Sequence, residues 1–320
     1  MDPGAELVVA VDGGDREAVA LARAHGARVV VLTIRRGPAA ARNAAVRVAR
    51  GRVLVFIDAD VTVRPDLVAR VLDALAGPPA CNAVIGSYDD LPAETNFLSQ
   101  YKNLAHHFTH QTARDEASTF WGACGAITRD AFNAVGGFDE RYRRPSIEDI
   151  ALGAQLRRAG FRIRLVASLQ VTHLKRWTAQ TLWRSDVFDR AVPWTRLVLE
   201  TRLLPDDLNL RWSRRAAVAA ACLLLGALAV APWRPWMLAV AAGLAVAQVA
   251  LDARLAVFFW RRRGTLFAVR AMAWHWLHNL CCALGLAVGV GLYVAEKLRR
   301  IGPAPVIGRA LPVAGESERK

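Results

Sequence analysis

Short apolar runs alternate with helical patterns through the first two thirds of the chain. The apolar runs predict strands, at Glu6–Val11, Arg28–Thr33, Val53–Ile57, Asn82–Gly86, Phe120–Thr128, Phe161–Val166 and Ser168–His173. The intervening patterns predict helices, at Arg16–His25, Ala39–Arg50, Pro65–Ala76, Arg129–Val135, Ile150–Ala159 and Trp177–Leu199. This alternation predicts an α/β fold built from parallel β-α units.

The last third of the chain is dominated by apolar residues, which contribute to an apolar fraction of 54% for the whole chain. Ala216–Ala231 and Met237–Leu251 predict a hairpin of two membrane-spanning helices, joined by the aromatic turn Pro232–Trp236. Leu266–Leu277 contains basic and polar residues and is expected to lie at the membrane interface. Cys281–Ala295 is a third candidate span.

The basic residues lie mostly beside these apolar segments. The formal net charge is +14, with clusters at Arg211–Arg215, Arg261–Arg263 and Lys297–Arg300. Cations that flank membrane helices mark the cytoplasmic side, and the hairpin places the first two clusters there. A single crossing by Cys281–Ala295 would place the third cluster outside, so a re-entrant segment or two crossings within Leu266–Ala295 are alternatives. The basic residues form no stripe, and nucleic acid is not an expected partner.

The five cysteines lack the spacing of a metal site or of a disulfide framework. Three of them, Cys222, Cys281 and Cys282, lie in the apolar segments. We therefore expect the soluble part of the chain to face a reducing compartment, the cytoplasm.

Two carboxylates stand at the end of one of the most apolar predicted strands. Val53–Ile57 is followed by Asp58 and Asp60, and ligands of open α/β sheets collect at the carboxyl ends of strands. An Asp-x-Asp pair at such an edge can bind a hard divalent cation through oxygen, and that cation can neutralise a diphosphate leaving group. Taken alone, a solvated acidic turn is the simpler interpretation of the pair.

Other candidate residues also have simple structural interpretations. Ser146 and Asp149 have the spacing of a capping box for the helix Ile150–Ala159. His106, His107 and His110 could bind a metal, but a helix along the membrane surface or an acceptor groove is the favoured interpretation.

Taken in order, these segments resemble the family 2 glycosyltransferases of the GT-A fold, of the membrane-associated bacterial type. The resemblance is carried by Gly37–Asn43, Phe56–Val61, Gly136–Glu140 and Glu148–Gly153. It implies an α/β, Rossmann-like mixed sheet followed by C-terminal transmembrane helices. It divides the chain into a GT-A catalytic domain (residues 1–205), a membrane region with two to four helices (residues 206–300) and a disordered tail (residues 301–320).

The resemblance implies a metal and donor site. Asp60 would be the main ligand of Mg²⁺ or Mn²⁺, Asp58 would lie near the ribose and the metal, and His173 would complete the metal site. Asp12 would contact the nucleoside base of the donor. The backbone could approach the donor closely at two small residues, Gly122 and Gly125.

The resemblance also implies the chemistry of the acceptor. Asp149 would be the general base that deprotonates the acceptor hydroxyl, and Glu148 would orient the acceptor or the base. The base must lie across the anomeric carbon from the leaving group, so direct displacement would invert the configuration at that carbon.

The sequence departs from the family pattern in two places. Family members begin with an apolar strand of the central sheet, and only Met1–Ala5 precedes Glu6 here; we expect a start further upstream, the alternative being a protein without part of its nucleotide pocket. Processive members carry Gln-x-x-Arg-Trp after the base, whereas Gln170 stands at the wrong distance from Arg176 and Trp177. Transfer of a single sugar is therefore expected.

The expected function is inverting, metal-dependent transfer of one sugar from a nucleotide-diphosphate sugar, with a UDP-sugar favoured, to a lipid or lipid-linked acceptor. The enzyme would be a multi-pass inner-membrane protein with its catalytic domain in the cytoplasm. A polyprenyl-phosphate glycosyltransferase and a catalytically silent membrane protein that binds a nucleotide sugar are alternatives.

Overall fold

The computed structural model describes residues 4–301, so the tail predicted over residues 301–320 lies outside it, apart from Ile301. Within that range the strands are β1 (Val8–Asp12), β2 (Arg28–Leu32), β3 (Val53–Ile57), β4 (Val61–Thr62), β5 (Ala83–Tyr88), β6 (Glu116–Ala117), β7 (Cys124–Thr128) and β8 (Ile163–His173). The helices before the apolar region are α1 (Arg16–Ala24), α2 (Pro38–Val48), α3 (Leu67–Ala76), α4 (Phe97–Gln111), α5 (Arg129–Ala134), α6 (Glu148–Arg158), α7 (Ala179–Arg184) and α8 (Val192–Thr201). The remaining long helices are α9 (Trp212–Val230), α10 (Met237–Arg263) and α11 (Thr265–Ile301).

The strands form a mixed central sheet and a separate small one. The central sheet has the order β3-β7-β5-β8-β4, and β6 also pairs with β8. Only the β5–β8 pair in it is parallel. Strand β7 runs antiparallel to both of its neighbours, and β4 and β6 run antiparallel to β8. Strands β1 and β2 pair in parallel with each other, apart from the central sheet. The expected α/β fold with a mixed sheet is confirmed, and the expectation of uniformly parallel units is wrong.

Two strands predicted near the end of the domain are one strand. Phe161–Val166 and Ser168–His173 were separated on the pattern alone, but β8 runs from Ile163 to His173 with a bulge opposite Gly86. A Cβ on Gly86 would lie 2.3 Å from the carbonyl oxygen of Leu169. The bulge therefore bends β8 without ending it, and its second half reaches the short strand β4.

The predicted amphipathic helix Trp177–Leu199 is interrupted by a π-helical segment. α7 leads directly into the π-helical turns of Ser185–Ala191, which lead into α8. π-helical turns widen the helix locally and occur often at functional sites. Here the widened segment turns Asp186 into the protein, where it accepts hydrogen bonds from Lys102 of α4 at 2.6 Å and from His278 of α11 at 2.7 Å.

Three helices of the described residues are long and apolar enough to cross a membrane: Trp212–Val230, Met237–Arg263 and Thr265–Arg299. Leu223, Val246, Val249 and Leu266 are among the apolar side chains that they leave more than 60% exposed. Apolar helix surface on this scale indicates association with a membrane. The predicted hairpin is present, but the separate interfacial and spanning segments expected within Leu266–Ala295 form one continuous helix, so a break between them is wrong.

A buried polar network joins these helices to α4 of the α/β domain. Arg214 of α9 forms an ion pair with Asp252 of α10 at 2.6 Å and a hydrogen bond with His275 of α11 at 2.9 Å. His275 lies 3.0 Å from the hydroxyl of Tyr101 in α4. A charge in an apolar helix bundle requires such partners, so this network fixes the register of the three helices against α4.

Candidate active site

The centre of the site is Arg42, on the second turn of α2. Its guanidinium donates to Asp58 Oδ1 at 2.5 Å and to Glu148 Oε1 at 2.8 Å. Burial acts to lower the pKa of Arg42, but the charges of Asp58 and Glu148 raise it above its ordinary value. One arginine therefore joins the Asp-x-Asp segment to the Glu148–Asp149 segment, which lie about ninety residues apart in the chain.

Helix α2 also positions the loop that precedes α6. Asn43 accepts a hydrogen bond from the backbone N–H of Phe138 at 3.0 Å and donates to the carbonyl oxygen of Phe138 at 2.8 Å. Asn43 also donates to Glu140 at 3.2 Å. Two successive residues of α2 thus hold the Gly136–Glu140 turn and the two acidic segments in one arrangement.

Asp12 holds the start of the same helix. Its two carboxylate oxygens accept hydrogen bonds from the backbone N–H groups of Arg36 and Gly37, both at 2.8 Å. Gly37 has a φ of +93°, and a Cβ there would lie 2.5 Å from the backbone of Arg143, so glycine is required. The structure places Asp12 as an anchor of this loop, and its contact with a nucleoside base stays a prediction.

Asp149 lies in the first turn of α6 and faces Gly122. Its Oδ2 accepts a hydrogen bond from the backbone N–H of Gly122 at 3.0 Å, and its Oδ1 accepts from the N–H of Ile150 at 2.8 Å. Burial raises the pKa of Asp149 to about 6, and the charge of Glu148 raises it as well. A carboxylate with a pKa near 6 is ionised at neutral pH and basic enough to accept a proton in a reaction.

The capping interpretation of Ser146 and Asp149 is wrong. Ile147 is the N-cap of α6, with no side-chain hydrogen bond, and the Ser146 hydroxyl donates to the carbonyl oxygen of Asp189 at 2.7 Å. Glu148 Oε2 accepts from the Ser146 N–H at 2.9 Å. The carboxylate of Asp149 is thus left to face the site.

Gly122 and Gly125 differ in what their missing side chains allow. A Cβ on Gly122 would lie 2.9 Å from Arg42 Nη2, so glycine lets Arg42 reach Asp58. A Cβ on Gly125 would lie 2.4 Å from the carbonyl oxygen of Trp121 and 2.6 Å from the Phe120 ring. Gly125 therefore has a packing role in the core, and the donor contacts of both glycines stay predictions.

Helix α6 is packed directly against the segment that precedes β7 and carries Gly122. A Cβ on Gly153 of α6 would lie 2.2 Å from the backbone nitrogen of Phe120. This close approach holds α6 at the distance that the hydrogen bond from Gly122 to Asp149 requires.

Asp60 and His173 form the second pair of the site. β4 pairs with the end of β8, with Val61 opposite His173, and this register brings Asp60 Oδ2 to 3.8 Å from His173 Nε2. The proximity of His173 lowers the pKa of Asp60. Asp58 instead pairs with Arg42, and its predicted metal role stays a prediction.

Tyr88 packs against the Asp60–His173 pair. Its ring stacks on His173, with the ring centroids 4.3 Å apart, and contacts Trp121 edge-on at 4.8 Å. Burial raises the pKa of Tyr88 well above its usual range, and the charges of Asp60, Asp58 and Asp149 raise it further. The carboxylates of Asp60 and Asp149 therefore both lie within electrostatic range of one tyrosine.

The three histidines of α4 are part of the packing. His107 and His110 bond through Nδ1 to the carbonyl oxygens of Tyr88 and Gly86, and His106 packs against Trp121 with ring centroids 4.9 Å apart. Among residues 4–301, no three His, Cys, Asp or Glu side chains converge as a ready metal-binding group. The helix lies between the sheet and α10, where His107 stacks on Phe258.

Sequence reasoning missed Arg42 as a site residue. It lies among the buried residues Ala39, Ala40, Ala41 and Ala44, and a charge on such a face requires a partner. Arg47, on the same helix, is 63% exposed. The sequence alone therefore does not distinguish the buried arginine from the exposed one.

Comparison with known protein families assigns the domain. Residues 2–136 match the model of glycosyl transferase family 2, and residues 102–178 match the model of the N-terminal domain of galactosyltransferase. These matches identify the N-terminal part of the chain as a glycosyltransferase domain of family 2. A search of curated proteins finds no match.

Several solved glycosyltransferases are similar in fold. The mannosyltransferase PcManGT of Pyrobaculum calidifontis, solved with GDP-Man and Mn²⁺, is 19% identical with a TM-score of 0.45, over 91% of this chain and 78% of its own. GalNAc-T7, solved with UDP, GalNAc and Mn²⁺, is 16% identical with a TM-score of 0.44, over 68% of this chain and 44% of its own. Glucosyl-3-phosphoglycerate synthase of Mycobacterium tuberculosis, solved with UDP, is 20% identical with a TM-score of 0.40, over 63% and 70% of the two chains.

Proposed function

We propose that the protein is an inverting, metal-dependent glycosyltransferase that moves one sugar from a nucleotide-diphosphate sugar to a lipid or lipid-linked acceptor at the cytoplasmic face of a membrane. The observation that carries this proposal is the bridge from Asp58 through Arg42 to Glu148. It supports a single site with a donor side, at Asp58, Asp60 and His173, and an acceptor side, at Asp149.

The residues on the donor side fit a divalent cation that completes its coordination with the donor. Asp60 offers a carboxylate and His173 a ring nitrogen, and Mg²⁺ is commonly held by one or two carboxylates together with substrate phosphates and water. When bound, the metal would supply Lewis-acid stabilisation of the diphosphate leaving group. Asp60 and His173 would hold it, and Arg42 would orient Asp58 beside the donor.

Replacing His173 with Ala is expected to raise the Mn²⁺ concentration for half-maximal activity by roughly tenfold or more. The reason is that removing a group that binds or orients a metal typically lowers metal affinity by about that factor. Metal titration of the rate at saturating donor measures the effect. His25→Ala, at an exposed position directly after α1, is the matched control. An unchanged metal requirement in His173→Ala would remove this residue from the metal site.

On the acceptor side, Asp149 would take the proton of the acceptor hydroxyl as the new bond forms. Its hydrogen bonds from Gly122 and Ile150 orient the carboxylate. Because the base comes from a different segment than the metal-binding pair, it can lie on the opposite face of the sugar. That arrangement favours a single displacement with inversion.

The activity is expected to fall as the pH is lowered through about 6. Burial raises the pKa of Asp149 to about 6, so Asp149 gains a proton in this range and can no longer act as a base. The pH profile of kcat/KM measures this directly. In Asp149→Glu the midpoint should move while the shape is retained. A profile that is flat from pH 5 to 8, in the range where a group of pKa about 6 titrates, would contradict the assignment.

We further infer that α9 and α10 form the crossing hairpin and that α11 lies along the catalytic domain. The ring of Phe267 contacts Phe97 at 5.4 Å, His278 bonds to Asp186, and Glu296 accepts from Arg196 of α8 at 2.5 Å. These contacts extend over nearly the whole of α11. The basic residues that follow Glu296 would then lie on the cytoplasmic side with Arg211–Arg215, as the positive-inside rule requires.

This topology predicts that green fluorescent protein fused after Lys320 is fluorescent in a bacterial host, because that reporter fluoresces only when it stays in the cytoplasm. Alkaline phosphatase at the same position should be inactive. Insertion of each reporter in the turn at Pro232 should give the reverse pattern. Active phosphatase after Lys320 would mean that α11 crosses the membrane.

The lipid acceptor is tested by supplying radiolabelled nucleotide sugar to membranes that contain the protein. The proposal predicts metal-dependent label in a product that partitions into organic solvent. Label found only in free sugar or in water-soluble glycans would contradict a lipid acceptor and leave a different glycosyl acceptor. Thermal-shift screening of UDP- and GDP-sugars with Mn²⁺ present identifies the donor.

A further inference from the structure

Two clefts adjoin each other along α7: the first lies between α7 and α11, and the second lies between α7 and the loop of residues 141–146 that precedes α6. The first, of about 260 Å³, is apolar, and the second, of about 630 Å³, is basic. Trp183 of α7 lines both. An amphiphilic molecule could therefore occupy the two clefts together, with its apolar part in one and its polar part in the other.

The basic cleft carries a large excess of positive charge. Arg141, Arg143, Arg144 and Arg184 line it, against one carboxylate, that of Asp189. Within residues 4–301, the guanidinium groups of Arg143, Arg144 and Arg184 have no ion pair or hydrogen bond, while Arg141 pairs with Asp139. Unpaired arginines gathered around one cleft fit an anion that several of them can bind at once, and phosphate is the anion that guanidinium groups bind best by geometry.

The apolar cleft is lined by Leu182 and Trp183 of α7 and by apolar residues of α11, including Trp274, Leu277 and Leu284. The Asp186 carboxylate at its wall is already neutralised by Lys102 and His278, so the cleft presents no unpaired charge to an occupant. Leu284 is 46% exposed, which leaves the cleft open toward the apolar surface of α11. A hydrocarbon chain from a membrane could enter there.

The basic cleft borders the segment that carries the proposed base. Ser146 lines it, and its hydroxyl and backbone N–H bond to Asp189 and Glu148 respectively. Arg190, the residue after Asp189, lies close enough for its charge to lower the pKa of Asp149. Ser146 therefore connects the basic cleft to Glu148, the neighbour of the proposed base in the chain.

We propose that these two clefts together bind the acceptor, which is a phosphate-bearing lipid. Arg144 and Arg184 hold its phosphate, and its hydrocarbon chain lies between α7 and α11. The hydroxyl to be glycosylated is directed toward Asp149. The phosphate is an anchor and not the nucleophile, because a phosphate oxygen needs no base. This inference rests on the proposed function, whose acceptor class it specifies.

The test compares a polyprenyl phosphate with the corresponding polyprenol, which differ only in the phosphate, by titration into the detergent-purified full chain. Trp183 and Trp274 line the clefts, so intrinsic tryptophan fluorescence reports occupancy. We expect the phosphate to bind at least about tenfold more tightly than the alcohol, and Arg144→Gln/Arg184→Gln to abolish most of that preference. Arg23→Gln/Arg158→Gln, exposed positions on α1 and α6, should keep it.

A second variant tests the apolar cleft without changing charge. Leu284→Trp should weaken the binding of both lipids and leave their ratio unchanged. Equal binding of phosphate and alcohol by the wild type would overturn the proposal. So would displacement of the polyprenyl phosphate by inorganic phosphate at equal concentration, because that would mean a general anion surface that does not recognise the lipid.

Donor hydrolysis separates this inference from the proposed function. The wild type should release nucleoside diphosphate from the donor in detergent without acceptor. If the protein hydrolyses the donor but does not bind the lipid phosphate, the proposed acceptor site is overturned and the transferase proposal is not. A protein that binds the lipid phosphate but never hydrolyses donor would overturn the transferase proposal instead.

Discussion

Replacing Asp149 with Asn is expected to reduce sugar transfer by about 10²–10⁴-fold, the usual contribution of a general base, while donor affinity stays within a few-fold of wild type. Asparagine keeps the oxygen that accepts the Gly122 N–H bond at 3.0 Å but cannot accept a proton. Transfer rate at saturating substrates and donor affinity by calorimetry separate the two quantities.

Asp130→Asn is the matched control for this change. Asp130 is also an acid in the first turn of a helix, α5, and is exposed, so the control loses the same favourable interaction with a helix N-terminus without touching the site. Near-wild-type transfer by Asp149→Asn would mean that another group takes the proton. A large loss of donor affinity would instead assign Asp149 to the donor.

Replacing Arg42 with Gln is expected to lower both the stability and the activity of the protein. The substitution leaves Glu148, whose side chain is 6% exposed, without its ion-pair partner, and removing one member of a buried pair typically costs about 3 kcal/mol or more. Denaturant unfolding of the detergent-solubilised chain measures the loss, and Arg47→Gln on the exposed face of α2 is the control.

A double variant distinguishes a catalytic loss from a structural one. Arg42→Gln/Glu148→Gln removes the unpaired buried charge, so much of the lost stability should return, while transfer should stay low because Asp58 is no longer held. Recovery of both stability and transfer would mean that Arg42 is only a structural counterion. Full stability in the single variant would contradict the burial argument itself.

The strands and acids of the site were predictable because each depends on neighbours in the sequence. Val53–Ile57 is apolar and is followed at once by Asp58 and Asp60, and β3 ends at Ile57. The acids of Glu148–Asp149 likewise begin α6. An apolar run that ends at a carboxylate is a pattern of neighbouring residues. It is enough to place such residues at the edge of a sheet.

The contacts that assemble the site were not predictable in this way, because they depend on residues far apart in the chain. Arg42 reaches Glu148 across 106 positions, and the register of β4 on β8 brings Asp60 to His173. The role of Tyr88 depends on where the ends of β5 and β8 meet. No spacing in the sequence records these distances.

The membrane-proximal region shows a second limit of sequence patterns. Trp177–Leu199 has an amphipathic pattern of ordinary helical period, which does not reveal the π-helical segment Ser185–Ala191. The basic residues of Leu266–Leu277 predict an interfacial segment separate from Cys281–Ala295, yet both belong to α11. His275 accepts a hydrogen bond from Arg214 of α9, and His278 pairs with Asp186, so both histidines have partners on other elements. Polar residues in a helix mark its ends only when they lack such partners.

The most direct test of the account is the release of nucleoside diphosphate from a nucleotide sugar by the purified full chain. We expect the wild type to release nucleoside diphosphate in the presence of Mn²⁺, to stop when the metal is chelated and to resume when Mn²⁺ is restored. We expect Asp60→Asn to keep its fold and to release nucleoside diphosphate at a strongly reduced rate. Release that is unaffected by chelation and by Asp60→Asn, or no release from any donor in a folded protein with Mn²⁺ present, would contradict metal-dependent sugar transfer at this site.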